Sequence, residues 1–550
     1  MRTTLLFIAL FSSITVFAQL EKTGSDLFRE LVMESYEKKD QFRQVFPTND
    51  APINYSAIDS LWIYHSKVNT MFDEIAKCKN LKHLKIGDSK IEDYSFLEQL
   101  PLLQSLELTK SKVPSIQFVE KLPQLKSLAI NYSGLVDISP LEKLHNLKEL
   151  KLMRNLIIDF SPLAKLTQLE KLDLRETEVY NFDFLEKLPL LQSLDLSSNK
   201  ISDIQFLKKS PNLQSLDLND NPIADFEPLK QLIQLKQLGL SSSEVSSIQF
   251  LQSAIKLETL FLNHNQISDI SPLKQLTQLK ELHLYQNQVS DLNALEKLTQ
   301  LNRLNLYYNQ ITDISPLKQL TQLNRLELNH NQITDISPLE KLTQLNKLTL
   351  SRNTIVDYSP LGKITSLEKL SINKNRITDI SFFNKMTQLK DLELSNSNIT
   401  DFDFLKKLTQ LEYLELNYND ISDYGFLKPL HNLEWLELEG NDISDASFIA
   451  KLSKLTDLNI SENNISNSRF LKKLTLLEDL NLSNNQVSDI SVLKRLNKLE
   501  FLDLDNNQIT DISALKGLNE LVLLYLSGNE IPATAIQKLR KLLPDCDVEF

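Results

Sequence analysis

Leu323-Asn324-Arg325-Leu326-Glu327-Leu328-Asn329-His330-Asn331-Gln332-Ile333-Thr334-Asp335-Ile336-Ser337-Pro338-Leu339 decides the fold of this 550-residue chain. Its first half alternates, as does Glu149-Leu150-Lys151-Leu152-Met153 earlier in the chain, which is the period-two pattern of a strand with one buried face. Beyond the asparagine the apolar residues fall three apart, as they do at Ile267, Ile270, Leu273, Leu276 and Leu279. Three residues per turn is the 3₁₀ period, so the return path is predicted as short 3₁₀ or irregular turns rather than α-helix. The Ser-Pro pair suits a tight turn, because proline presets φ and needs no donor.

Outward from this stretch the same unit recurs every 22 residues without insertion or deletion, and its turn position runs from Ser89 to Asn529, which makes 21 units. Leucine stands eight and five residues before the turn position in every unit, Leu or Ile three before it, and Ile, Val or Leu two after it. Asparagine suits the turn because its amide can bond buried backbone groups where one coil stacks on the next. Ser or Thr replaces it in six units (Ser89, Ser111, Ser133, Thr177, Ser243, Ser397) and keeps a hydroxyl for a similar bond. An imperfect unit, Ile58 to Val68, lies 23 residues upstream. One short strand per unit predicts an α/β solenoid with a parallel sheet on its concave side and a 3₁₀ or irregular convex side.

The repeat resembles the 22-residue leucine-rich repeat of bacterial internalins, a subtype shared with regulatory subunits of protein phosphatase 1. The resemblance covers roughly residues 57 to 531. It implies a curved horseshoe and a binding role, while the partner is chosen by surface residues and not by the scaffold. Unlike surface-anchored internalins, the chain shows no immunoglobulin-like stretch after the repeats and no C-terminal sorting signal, so the resemblance carries no cell-wall attachment.

The ends read differently from the repeats. Residues 1–18 carry Arg2, an apolar run from Leu5 to Phe11, and Val16-Phe17-Ala18 before Gln19. This is the pattern of a cleavable export signal, too short to span a bilayer, and no later stretch approaches the ~20 apolar residues of a membrane helix. Residues 19–56 are expected to cap the first coil, with Thr23 or Ser25 starting a helix whose apolar face holds Leu27, Phe28, Leu31, Val32 and Tyr36. Residues 532–550 read as a closing amphipathic helix followed by a last strand. Cys78 and Cys546 lie near opposite ends and are expected as two free, partly buried thiols.

Little in the sequence points to chemistry. Seven histidines occur without metal-ligand spacing, and nine glycines form no phosphate loop. No nucleophile motif is present, so no enzyme, cofactor or metal site is expected. The formal charge of −12 argues against nucleic acid and for a basic or neutral partner. The row Asp173, Asp195, Asp217 reads as a solvated acidic stripe.

With the register set, the outward residues stand six, four, two and one before the turn position. Two groups depart from a small polar background. The first holds Phe261, His264, His283, Tyr285, Tyr307 and Tyr308, flanked by Arg303, Arg325 and His330. The second combines Tyr413, Tyr418 and Trp435 with Glu393, Glu415, Glu437, Glu439 and Asp457. Exposed aromatics rimmed by charge suit a protein interface, because they bury much area at low entropy cost. The alternative is ladder packing that stiffens the sheet. The leading expectation is a secreted or envelope-exposed scaffold that binds a protein or a glycan on its concave face, with no membrane insertion. A second is an intracellular regulatory subunit that holds an enzyme such as a phosphatase, which requires residues 1–18 to be retained. A third is a structural spacer without a ligand.

Overall fold

The computed structural model describes residues 53–64, 71–89 and 91–550. The export signal and nearly all of the N-terminal cap lie outside the described residues. Two compact units divide the chain: one runs to Ile201 and takes in Gln205–Leu216, and the other comprises Ser202–Ile204 and Asp217–Phe550.

In the first unit β1 (Ser60–Tyr64), β2 (His83–Gly87), β3 (Ser105–Thr109), β4 (Ser127–Asn131), β5 (Glu149–Lys151), β6 (Lys171–Asp173) and β7 (Ser193–Asp195) pair in chain order, always parallel. The imperfect first coil is explained by α1 (Phe72–Lys77), which replaces the usual 3₁₀ turn between β1 and β2. Its Glu74 is buried and takes an ion pair from Lys77 at 2.7 Å. Cys78 is buried next to it as a free thiol, pushed up to about 12 by burial and then by the Glu74 charge. After β8 (Ser215–Asp217), the second unit contains β9 (Gln237–Gly239), β10 (Thr259–Phe261), β11 (Glu281–His283), β12 (Arg303–Asn305), β13 (Arg325–Glu327), β14 (Lys347–Thr349), β15 (Lys369–Ser371) and β16 (Asp391–Glu393). It continues with β17 (Tyr413–Glu415), β18 (Trp435–Glu437), β19 (Asp457–Asn459), β20 (Asp479–Asn481), β21 (Phe501–Asp503), β22 (Leu523–Tyr525) and β23 (Asp547–Glu549). Pairing from β9 to β23 is again parallel and sequential, in a register of 22 residues up to β22.

One coil shows why the sequence closes this way. Leu301, Leu304, Leu306, Ile311, Ile314, Leu317 and Leu320 are all buried, and the three-residue spacing of the last four becomes i→i+3 bonding: Leu317 N–H donates to Ile314 O at 3.0 Å and Leu320 N–H to Leu317 O at 2.9 Å. Asn309 is the stitch between coils. Its Nδ2 donates to Leu306 O of its own coil at 3.1 Å and to Leu284 O of the preceding one at 2.9 Å, while Oδ1 accepts from Val289 N at 3.0 Å. Where a hydroxyl replaces the amide it makes some of these bonds: Thr177 Oγ1 donates to Leu174 O of its own coil at 2.7 Å, and Ser243 Oγ to Leu218 O of the preceding coil at 3.1 Å. The aspartate four residues after the turn starts the 3₁₀ segment, with Asp313 Oδ1 accepting from Ser315 N at 2.7 Å. Equivalent bonds from the following serine hold the Asp269 and Asp357 carboxyls below their ordinary range. At the far end α2 (Ala533–Leu542) buries Ile536 and Leu539, and β23 pairs with β22.

The acidic stripe expected at Asp173 and Asp195 is corrected by the structure. Asp173 is buried, and Arg175 bridges both carboxylates, at 2.6 Å and 3.2 Å, so this part of the row is ion-paired rather than a freely solvated stripe.

Candidate functional site

Residues six and four before each turn asparagine flank the buried leucine of a three-residue strand, so they project from the sheet on the same face. The position one before the turn is different. In all 21 units its backbone is left-handed, from Asp88 (φ 49°) to Gly528 (φ 70°), including His264, Tyr308, His330, Arg352, Lys374 and Tyr418. Glycine holds it in only two units, and at Gly440 an added Cβ would lie 2.5 Å from the Tyr418 ring, which covers that backbone. The position two before the turn is only partly outward: Ser461 and Ser483 are 3% and 6% exposed, so small residues there sink into the sheet edge, which corrects their reading as face positions.

The first aromatic group is brought together on β10–β13 and their turns. Phe261 stacks on His283 at 4.9 Å, and beside them His264, Tyr285, Tyr307 and His330 make a second file with centroid spacings of 4.9, 6.4 and 5.2 Å. Tyr308 packs on Tyr307 and His330 yet remains 52% exposed. The rings therefore do both things weighed from the sequence: they pack as a ladder and leave faces to solvent. His283 Nε2 lies 2.9 Å from Glu281 Oε1, with Arg303 at 3.5 Å. Burial pushes the Glu281 carboxyl up, but His283 and Arg303 outweigh it and hold the group below its usual range.

The second group is also assembled. Tyr413 and Trp435 lie 5.5 Å apart on β17 and β18, and Trp435 Nε1 donates to Glu437 at 2.8 Å. Glu393, Glu415 and Glu437 stand in direct register on three neighbouring strands. Tyr418, 47% exposed, reaches Glu439 and, at 3.2 Å, Glu462. Asp457 pairs in register with Asp479, and burial, followed by repulsion from Asp479, pushes it up to about 7.

Between the two groups lies a depression of about 510 Å³ whose walls include Tyr307, His330, Arg352, Lys374, Glu393 and Glu415. It follows a basic row on four consecutive strands, Arg303, Arg325, Lys347 and Lys369, in strict register. Lys347 pairs with Glu327 at 2.6 Å, and Lys369 with Asp391 at 2.5 Å and Glu393 at 3.0 Å. Among the described residues no cluster of three or more metal-ligating side chains occurs, and no helix is long and apolar enough to cross a membrane.

With this geometry in place, the model for leucine-rich repeats in tandem copies matches residues 167–209, 211–253, 255–297 and 299–341, continues in overlapping steps to 387–429, and resumes at 475–517 and 497–541. The chain belongs to the leucine-rich repeat family. Among solved structures, an internalin (inlF) from Listeria monocytogenes is 36% identical, covering 58% of this chain and 88% of its own, with a TM-score of 0.45. A leucine-rich repeat protein of Leptospira interrogans is 24% identical over 76% of this chain and 99% of its own, TM-score 0.46. TLR13, in a complex with ssRNA13, is 19% identical over 89% of this chain and 90% of its own, TM-score 0.50, a likeness of fold alone. No curated protein matches the chain. The internalin-like character read from the motif holds, and leucine-rich repeat proteins are protein-binding scaffolds, typically without enzymatic activity.

For this leucine-rich repeat chain, sequence reading named the aromatic anchors and Glu415 and Glu437 but missed the cations between them. Arg352 and Lys374 were passed over because net charge was weighed for the chain as a whole. The 22-residue alignment carries the signal, since His330, Arg352 and Lys374 follow one another in the column one before the turn.

Proposed function

We propose that the chain is an exported scaffold that binds a protein partner on the sheet face of its second unit, anchored on the aromatic files of β10–β13. The observation that carries this reading is the continuity of Phe261, His264, His283, Tyr285, Tyr307, Tyr308 and His330 across neighbouring coils, with half-exposed rings at each step. Four strands span about three strand spacings, ~15 Å, which one compact partner surface covers. Aromatic rings already packed on one another lose little further freedom on binding, so their burial goes largely into affinity. Export is supported by the N-terminal pattern of residues 1–18 and by the internalin-like repeat.

The test is capture of partners from host and bacterial surface extracts by the mature protein and by Tyr285→Ala and Tyr307→Ala variants. A hot-spot role predicts weakening by more than ~2 kcal/mol, about thirtyfold or more in Kd, with folding retained. Normal capture by both Tyr variants and loss with Trp435→Ala would move the site to the second group. N-terminal sequencing of the native protein is expected to begin within a residue or two of Gln19. An intact Met1 in the cytoplasmic fraction would instead favour the regulatory-subunit reading.

A further inference from the structure

The charges that line the depression do not pair with one another. Arg352 and Lys374 are exposed on left-handed backbone, and among the described residues neither has a carboxylate within 4.0 Å. Glu415 and Glu437, one at the wall of the same depression and one on the next strand, have no cation within that distance either. Their partners are neutral donors: Ser395 Oγ at 2.6 Å and Asn373 Nδ2 at 3.2 Å on Glu415, and Trp435 Nε1 at 2.8 Å on Glu437. Burial, followed by the flanking Glu393 and Glu437 charges, pushes the Glu415 carboxyl up; of the three in-register acids Glu393 alone has a cation, Lys369 at 3.0 Å, and Glu415 and Glu437 repel along the sheet without one. On the opposite side the field is positive, since burial followed by Arg352 and Lys374 holds the His330 ring below its ordinary range. The floor is also unfinished. Thr349, 5% exposed and in register between the lining residues Glu327 and Ser371, leaves Oγ1 without a hydrogen-bond partner.

Two unpaired cations lining the depression, and two carboxylates without a cation at its wall and on the next strand, call for a ligand that carries both charges. We propose that the depression takes an extended peptide segment of the partner that runs across the strands, with an acidic side chain over Arg352 and Lys374 and a basic side chain over Glu415 and Glu437. This deepens the reading of the sheet face as a protein-binding surface and rests on it. The separation of the two charges follows from the strands. Lys374 and Glu415 belong to coils two strands apart, and Arg352 and Glu437 to coils four apart. At ~4.8 Å per strand and ~3.4 Å per extended residue, the acidic and basic residues of the peptide stand roughly three to six residues apart. The neighbouring aromatic file at Tyr307 and His330 lies along one wall, so the segment continues onto it.

The experiment selects a random dodecapeptide display library on the full chain and measures the winners as synthetic peptides. Enriched sequences are expected to hold Asp or Glu three to six residues from Lys or Arg, and neutralising either charge in the peptide should weaken binding at least tenfold. An Arg352→Glu/Lys374→Glu double variant should select against the acidic position, and the isosteric Glu415→Gln/Glu437→Gln variant should lose only the basic one. The inference is overturned by an absence of enrichment, by winners lacking the charge pair, or by a pair indifferent to both double variants. Tyr285- and Tyr307-dependent capture of a surface protein alongside such a failure would sink this inference and leave the broader reading standing. Charge-paired winners together with tyrosine-independent capture would do the reverse.

Discussion

One residue before every turn position the backbone is left-handed, whatever side chain stands there, and in 19 of the 21 units that side chain is not glycine. A left-handed L-residue costs roughly 1–2 kcal/mol, so each coil gives up some stability to place a side chain at the rim of the sheet face. His264, Tyr308, His330, Arg352 and Lys374 are aimed by this device. Arg352 tests it cleanly because it has no ion pair to lose. Arg352→Gly is expected to be more stable than Arg352→Ala by about 1 kcal/mol, measured by chemical denaturation or by amide exchange in its coil. Equal stability of the two variants would mean that the turn does not impose the conformation.

Strands that repeat one side-chain column in register create rows of like charge, and the sheet handles them in two ways. Asp173 and Asp195 are clamped by Arg175, whereas Asp457 and Asp479 on β19 and β20 face each other. Asp457, pushed up to about 7 by burial and then by Asp479, holds a proton in the folded state that an unfolded carboxyl gives up near pH 4. The folded state therefore binds more protons between pH 4 and 7, and the contribution of this pair to stability falls as pH rises through that window. Asp457→Asn is expected to raise stability at pH 7.5 by on the order of 1 kcal/mol and to flatten the decline between pH 4 and 7. Denaturation midpoints across pH decide the matter, and an Asn variant that tracks the parent's pH profile would refute the assignment of the folded-state proton to Asp457.

At the scale of the whole molecule, each coil touches mainly its neighbours through the strand ladder and the asparagine stitch, so stability is a sum of local terms. Removal of residues 532–550, which takes away β23 and α2 from the edge of β22, should expose Leu524 and Leu526 to water. Hydrogen exchange is then expected to lose protection in the coils of β21 and β22 while the coils of β10–β18 keep theirs. A uniform loss along the second unit would contradict nearest-neighbour stability. The net charge of −12 also resolves at this scale, because a basic row on β12–β15 and an acidic ladder on β16–β18 occupy one face. An average over 550 residues erases that contrast.

Much of this was written in the spacing itself. Leucines eight and five before the turn, an apolar residue three before it, and a three-residue step afterwards leave one low-energy coil, because only a short strand and a 3₁₀ return bury all of those positions at once. The columns of the face follow from the same count, which is why Phe261, His283, Tyr285, Tyr307, Tyr413 and Trp435 were found where the structure puts them. The left-handed rim, the sinking of Ser461 and Ser483 and the clamping of Asp173 were decided only in the folded chain. So was the failure of Arg352 and Lys374 to meet the acids across the depression. Period predicts which way a side chain leaves its strand; how far it reaches, and whether an opposite charge lies within that reach, depends on turns and neighbouring coils that packing brings together.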